Sequence, residues 1–295
     1  MIIINVKKNI YTAEGLLDLK VKINVPKQEF ITIFGKSGVG KTTLLRMIAG
    51  LLDPDDGFIQ VDDVVWFDKQ KKINLPADRR NLGFVFQEYN LFPNMSIRDN
   101  LRFAFKSKPD EPLIDYLLSR ANLTKVENLK PDILSGGQKQ RAALMRALVK
   151  KPKIFLLDEP LSALEESMRQ NMQDLILELF EELKVSVFLV SHDLGEIFKL
   201  SNKVVVIDKG KIINQGSPLE VFAPGDISCK FKFEGVILSI KKADLVYIVV
   251  VKINNQFAQV VATEEEIKGL KFGDHVIVGS KAFNPVIFKA NKQCV

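Results

Sequence analysis

The chain has 295 residues, 46% of them hydrophobic and 26% charged, which excludes a disordered chain and suits one large domain plus one small one. Its net charge of +6 comes from scattered Lys and Arg without an aromatic-interleaved basic stripe, so no nucleic-acid partner is expected. Such a balance fits a protein that handles polyanions such as nucleotides. Two cysteines, Cys229 and Cys294, are too few for a disulfide framework and lack the CxxC spacing of zinc or redox sites. No apolar run reaches the roughly 18 residues that span a bilayer. The reading is of a soluble chain that meets a membrane only by docking.

In chain order, MIIINVKKNIY has neither a basic start nor a small-residue cleavage site and reads as a strand. EFITIFG, Glu29 to Gly35, is a β-rich run that enters a Gly-rich loop, and LLRMIAG, Leu44 to Gly50, is an apolar helix closed by glycine. LDPDDG is a turn cluster before strand-like FIQVDD and VVWF. From about Glu88 to Lys151 the pattern is helical, in SIRDNLRFAF, PLIDYLLSRANL and QKQRAALMRALVKK. The last stretch has three lysines in or near its final turn, a match to the helix dipole. KIFLLD and VSVFLVS are apolar runs of the kind buried in parallel sheets. Between them Glu166 to Lys184 is amphipathic, with Met168, Met172, Leu175, Ile176, Leu179 and Leu183 on the apolar face. Beyond Pro224-Gly225-Asp226 the chain turns β-rich (FEGVILSI, LVYIVVVKI, FAQVVAT, DHVIVGSKAF, PVIFKA), which predicts a small β-barrel domain.

GKSGVGKT fits GxxxxGK[ST] between a strand and a helix. Its residues Gly35, Lys36, Ser37, Gly38, Val39, Gly40, Lys41 and Thr42, with the following Thr43, are therefore expected to wrap the phosphates of a nucleotide. Lys41 is expected to reach the β/γ-phosphates and Thr42 to ligate Mg²⁺. IFLLDE delivers two carboxylates at a strand's C-terminal end. Asp158 is suited to hold Mg²⁺ and Glu159 to polarise an attacking water. These features together read as a P-loop NTPase.

LSGGQKQR, Leu134 to Arg141, decides the branch: it resembles the signature sequence of the ABC-transporter ATPases without substitution. The resemblance implies an α/β fold, a RecA-like core with a helical subdomain at about 88–151. It implies an ATPase domain over 1–225 followed by a small OB-like barrel at 227–295. It also implies ATP and Mg²⁺ as cofactors, and a head-to-tail homodimer with two shared ATP sites. Ser135, Gly137 and Gln138 would act on the nucleotide of the other subunit. Gln87 in FVFQEYNLFP resembles the glutamine that contacts Mg²⁺ and the attacking water. His192 in LVSHD resembles the switch histidine, LSALE the D-loop, and Tyr11 lies about where an aromatic ring stacks on adenine. One departure stands out: Glu165 replaces the Asp usual at the end of the D-loop. Membrane permease subunits and, indirectly, a substrate-binding protein are the implied partners, at the cytoplasmic face of the membrane.

LFPNMSIRDNL resembles the ATPases of importers served by a binding protein, with Phe92 where the permease docks. ISCKFKFEGVI and VIVGSKAFNPVIF resemble one copy of the molybdate-binding Mop-type (TOBE) domain, in which Ser228 and Lys230 fit and Phe231 replaces an amide. The implied cargo is molybdate or tungstate, with sulfate or an organic ion as runner-up. A GTPase is opposed by the missing NKxD, and a non-transport ABC protein by the single motif set. An oxyanion-sensing module would leave the nucleotide motifs unused.

Overall fold

The computed structural model describes residues 1–12, 15–105, 108–162, 164–222, 231–243, 246–254 and 256–280. The chain divides into two compact units, Met1–Pro224 and Gly225–Val295. The expected boundary residues Pro224, Gly225 and Asp226 themselves lie outside the described residues, as do Cys229, Cys294, Ser228, Lys230 and Ala163 of LSALE.

The first unit opens with a hairpin of β1 (Ile2–Thr12) and β2 (Gly15–Val25), in register from Ile2↔Val25 to Thr12↔Gly15. Ile2, Ile4 and Val6 alternate inward and meet Val21, Ile23 and Val25, which fixes the register, because a one-residue slip would expose them all. After β3 (Phe30–Phe34) comes α1 (Lys41–Ala49), ended by Gly50 in the left-handed region. β4 (Asp56–Val61), β5 (Val64–Asp68) and β6 (Ile73–Asn74) widen the antiparallel side beyond β1. β7 (Leu82–Val85) lies at the opposite edge.

The helical stretch that follows holds α2 (Ile97–Arg102), α3 (Glu111–Arg120) and α4 (Gly136–Leu148). Ser96 caps α2 and Asp110 caps α3 through side-chain acceptance of backbone N–H groups. Of the lysines expected in or near the last turn of α4, Lys150 and Lys151 follow directly after it. Val149 is the C-cap, and the last-turn cation is Arg146, which turns aside to donate to Asn90 O at 2.8 Å.

Strand and helix then alternate through β8 (Ile154–Asp158), α5 (Glu166–Leu183), β9 (Ser186–Val190), α6 (Leu194–Leu200), the hairpin β10 (Lys203–Asp208)–β11 (Lys211–Gly216), and α7 (Pro218–Phe222). All residues of β8 and β9 are buried, as their unbroken apolar runs require in a two-sided sheet. The strand order is β6-β5-β4-β1-β2-β11-β10-β3-β9-β8-β7, and β10, β3, β9, β8 and β7 are mutually parallel. Ile31, Ile33, Ile154, Leu156, Phe188 and Val190 pack on one face with α1, while Phe30, Phe155, Leu157, Val187 and Leu189 pack on the other with α4 and α5. Met168, expected inward, is exposed, while Met172, Leu175, Ile176 and Leu179 are buried.

This register brings the C-terminal ends of β3, β7, β8 and β9 side by side. Ile33 and Asp158 both pair with Val190, and Val85 pairs with Leu157. In open α/β sheets, ligands bind at that edge.

In the second unit, β12 (Phe231–Ala243), β13 (Val246–Ile253), β14 (Gln256–Ala262) and β15 (His275–Ser280) form an antiparallel sheet in the order β14-β13-β12-β15. The short α8 (Glu264–Ile267) starts with a Thr263–Glu266 capping box. Ile237, Val249 and Val251 form its small core. The strand expected at PVIFKA lies outside the described residues.

Candidate nucleotide site

The loop from Gly35 to Gly40 carries the chain from β3 into α1. Gly38 and Gly40 have φ of 82° and 99°, a conformation that side-chain-bearing residues rarely adopt. A Cβ at Gly35 would stand 2.3 Å from Ile207 O, so that glycine is required by close approach. Gly40 offers α1 no side-chain cap, leaving the first-turn N–H groups and the helix dipole to an anion. Lys41 is only 7% exposed, and its Nζ donates to Gly35 O and Lys36 O at 2.8 Å each. Burial pushes its pKa down, and the nearby Glu159 and Asp158 push back. The loop lines a cavity of about 670 Å³ together with Thr12, Gly15 and Leu16 of the first hairpin and Asp208 and Lys209. Tyr11, the residue before Thr12, is 88% exposed.

Asp158 ends β8 at 5% exposure, and its Oδ1 accepts from Thr42 Oγ1 at 3.0 Å. Burial raises its pKa, with the neighbouring Glu159 adding to the shift, against the Thr42 hydrogen bond and the Arg46 and Lys41 charges. Glu159 has φ of 46°, left-handed for a residue with a side chain. The turn is held because Glu159 N donates to Val190 O at 3.1 Å and Ser162 Oγ donates to Glu159 O at 3.0 Å. It aims the carboxylate at the next strand end, where His192 Nδ1 lies 3.9 Å from Glu159 Oε1. The His192 ring is 66% exposed. Gln87 is exposed two residues past the end of β7, the strand beside β8. Thus one sheet edge gathers the phosphate loop, Asp158, Glu159, His192 and Gln87.

Ser135 caps α4, accepting from Gln138 N at 3.3 Å, while Gln138 Oε1 accepts from Ser135 N at 3.0 Å. The Gln138 amide is therefore engaged locally in a capping box. Gly137 lines a separate cavity with Arg141, Met168 and Met172, and a Cβ there would meet Met168 Sδ at 3.0 Å. Within one chain Gly137 and the phosphate loop line different cavities.

A family model described as ABC transporter matches residues 19–162. The spermidine/putrescine import ATP-binding protein PotA of Fusobacterium nucleatum subsp. nucleatum is 36% identical over 283 residues, spanning 94% of this chain and 73% of that protein. This chain belongs to the ABC transporter family. The molybdenum import ATP-binding protein ModC of Shewanella sp. (strain MR-7) is 39% identical over 222 residues, 75% of this chain and 60% of that protein. The chain thus spans about three fifths of the length of the ModC relatives it matches first. An ATP-binding cassette solved as a dimer in a post-hydrolysis state with ADP and Pi is 31% identical with a TM-score of 0.63, covering 74% of this chain and 99% of that one. CbiO1 of Clostridium perfringens, part of an ABC transporter complex, is 30% identical with a TM-score of 0.64, covering 76% and 90%.

Within this ABC cassette, sequence reasoning passed over the supports of the histidine loop. Ser191 Oγ donates to Glu196 Oε2 at 2.6 Å and accepts from Asp193 N at 3.1 Å. Asp193 caps α6 by accepting from Glu196 N at 2.9 Å, and Arg169 Nη1 donates to its other oxygen at 3.3 Å. Asp193 followed three residues later by Glu196 is a readable helix-start pattern. Arg169 offers no such local signal, since its partner is 24 residues away.

Proposed function

We propose that this chain is the ATP-hydrolysing subunit of an ABC importer, working as a head-to-tail pair. The observation that carries the reading is the convergence of Lys41, Thr42, Asp158, Glu159 and His192 at adjacent strand ends. The loop from Gly35 to Thr43 binds the phosphates, and Lys41 exchanges its two carbonyl acceptors for β/γ-phosphate oxygens. Tyr11, at the hairpin end beside the cavity, stacks on the base. Glu159 takes a proton from the attacking water, and His192 holds the γ-phosphate and keeps Glu159 aimed. The hydroxyl of Thr42 and the buried carboxylate of Asp158, with Gln87 completing the set, are hard oxygen donors that fit Mg²⁺. Burial strips water from the Asp158 carboxyl and raises its pKa, and the same ion would favour its charged form. Held by these residues, Mg²⁺ would supply positive charge against the charge that develops in the transition state.

Ser135, Gly137 and Gln138 complete the site of the partner copy. The solved dimeric relative and the separate cavities within one chain support this reading. The permease docks beside Phe92, whose ring packs edge-on to the exposed Phe103 at 4.5 Å under Arg146. The complex sits at the cytoplasmic face of the membrane. Among the described residues no helix is long and apolar enough to cross it.

The cargo we assign is molybdate or tungstate, supported by the ModC relatives and the Mop-like tail sequence. A second reading, an organic cation such as a polyamine, is favoured by one observation. The match to the Fusobacterium PotA extends over 94% of the chain and so through most of the tail, whereas the ModC matches span 75% or less and the Haemophilus influenzae PotA matches 74%. The test is ATP hydrolysis by the chain with its co-purified permease in lipid, adding binding protein loaded with molybdate, tungstate, sulfate or spermidine. Stimulation by molybdate or tungstate alone supports the oxyanion reading. Stimulation by spermidine alone replaces it with the second.

A further inference from the structure

Arg169 lies in the first turn of α5, just after LSALE, and its guanidinium reaches in two directions. Nη2 donates to Leu164 O at 3.2 Å, inside LSALE itself. Nη1 donates to Asp193 Oδ2 at 3.3 Å, and Nε stands 3.9 Å from Glu196 Oε1. The side chain is three-quarters buried, and its acidic partner Glu196 is 6% exposed. Arg169, Glu159, Ser162, Ser191, His192, Asp193 and Glu196 all border one cavity of about 50 Å³.

His192 itself has little to hold it. Its ring is two-thirds exposed and stands 3.9 Å from Glu159, too far for a hydrogen bond. What is fixed is the backbone on both sides of it. Ser191 is tied to Glu196 and to Asp193 N, Asp193 is tied to Glu196 N and to Arg169, and Arg169 is tied to Leu164. The planar guanidinium is suited to this task, since its fork serves a carbonyl and a carboxylate at once. A loop held at three points delivers its central ring to one place, and sub-ångström placement governs hydrolysis rates strongly.

We infer that Arg169 is a positioning residue that couples the LSALE segment to the histidine loop, so that a shift of Leu164 is passed to His192. The inference rests on the proposed role of His192 in hydrolysis. It says how a segment expected at the face between two copies reaches the reacting centre of its own chain. Arg169 touches neither nucleotide nor water in this account. Its effect runs through Asp193 and Glu196 to the histidine.

The experiment is steady-state ATP hydrolysis by the purified full chain and by His192→Ala, Arg169→Ala, Arg169→Lys and the double variant Arg169→Ala/His192→Ala. Nucleotide affinity and melting temperature are measured alongside. Arg169→Ala is expected to lower kcat on the order of tenfold with KM for ATP unchanged. Arg169→Lys restores part of the rate by keeping a cation near Asp193. In the His192→Ala background, loss of Arg169 costs nothing further, because the group it positions is gone. The inference is overturned if Arg169→Ala keeps the full rate, or if the two losses multiply. A fully active His192→Ala instead strikes the functional reading beneath it, and the two failures are told apart by that single variant. Should Arg169→Ala fold poorly, Asp193→Asn tests the same link from its other side. It keeps a carbonyl to cap α6 but removes the charge, and a full rate there also overturns the inference.

Discussion

At Asp158 a carboxylate is buried with a threonine hydroxyl and two cations at some remove, and its pKa is raised chiefly by loss of water. A carboxyl whose pKa is higher folded than unfolded favours the fold while protonated. That contribution is full below the unfolded pKa and is lost as pH rises through the folded value. Above that folded value the nucleotide-free protein carries the charge as a local cost. Asp158→Asn should raise its melting temperature by a few degrees and abolish the further rise that Mg²⁺ and ATP produce. Both are read from thermal melts with and without nucleotide. If Asp158→Asn still gains stability from Mg²⁺ with ATP as the natural chain does, the ligand role is wrong. Lys41 is the converse case, a buried cation resting on loop carbonyls. Lys41→Ala should weaken ATP binding on the order of ten- to a hundredfold in calorimetry.

Among the elements, α1 has two unlike ends. Its N-terminus carries no side-chain cap, while its C-terminus is closed by Gly50 and by Arg80, whose Nη1 donates to Met47 O and Ile48 O at 2.8 and 2.7 Å. Arg80 also donates to Leu75 O and lies 5.8 Å from the Trp66 ring centroid. Burial lowers its pKa to about 10, so it stays charged at neutral pH. Arg80→Met should cost roughly 2–4 kcal/mol in urea unfolding by leaving those carbonyls unmet. Arg80 carries no local signal of this role, since the α1 carbonyls it meets lie 33 and 32 residues back. The same limit applies elsewhere. GKSGVGKT, IFLLDE and LSGGQ were legible because each packs its chemistry into contiguous residues. The inward face of α5 was legible from its period. What stayed hidden was set by contacts between distant segments: Met168 turned out towards Gly137, Arg146 drawn to Asn90, and Arg169 reaching the histidine loop.

For the whole molecule, the proposal makes ATP the link between two copies. Each copy offers a phosphate loop on one surface and the capped end of α4 on another. A ligand that fits only between two copies shifts the population towards the pair, and its hydrolysis releases them. Glu159→Gln should therefore run as a dimer in light scattering with ATP and as a monomer with ADP, and Ser135→Arg in that background should abolish the ATP-bound dimer. Glu165, which departs from the usual Asp, is the N-cap of α5 through its backbone, with Arg169 N donating to its carbonyl at 2.8 Å.

The central claim is that Glu159 activates water for ATP hydrolysis. It is met most directly by measuring steady-state phosphate release with Mg²⁺ and ATP for the natural chain and for Glu159→Gln, at matched nucleotide occupancy. The account predicts turnover by the natural chain and a loss of about a hundredfold or more in the variant, with ATP still bound. Equal rates from the two proteins would contradict it.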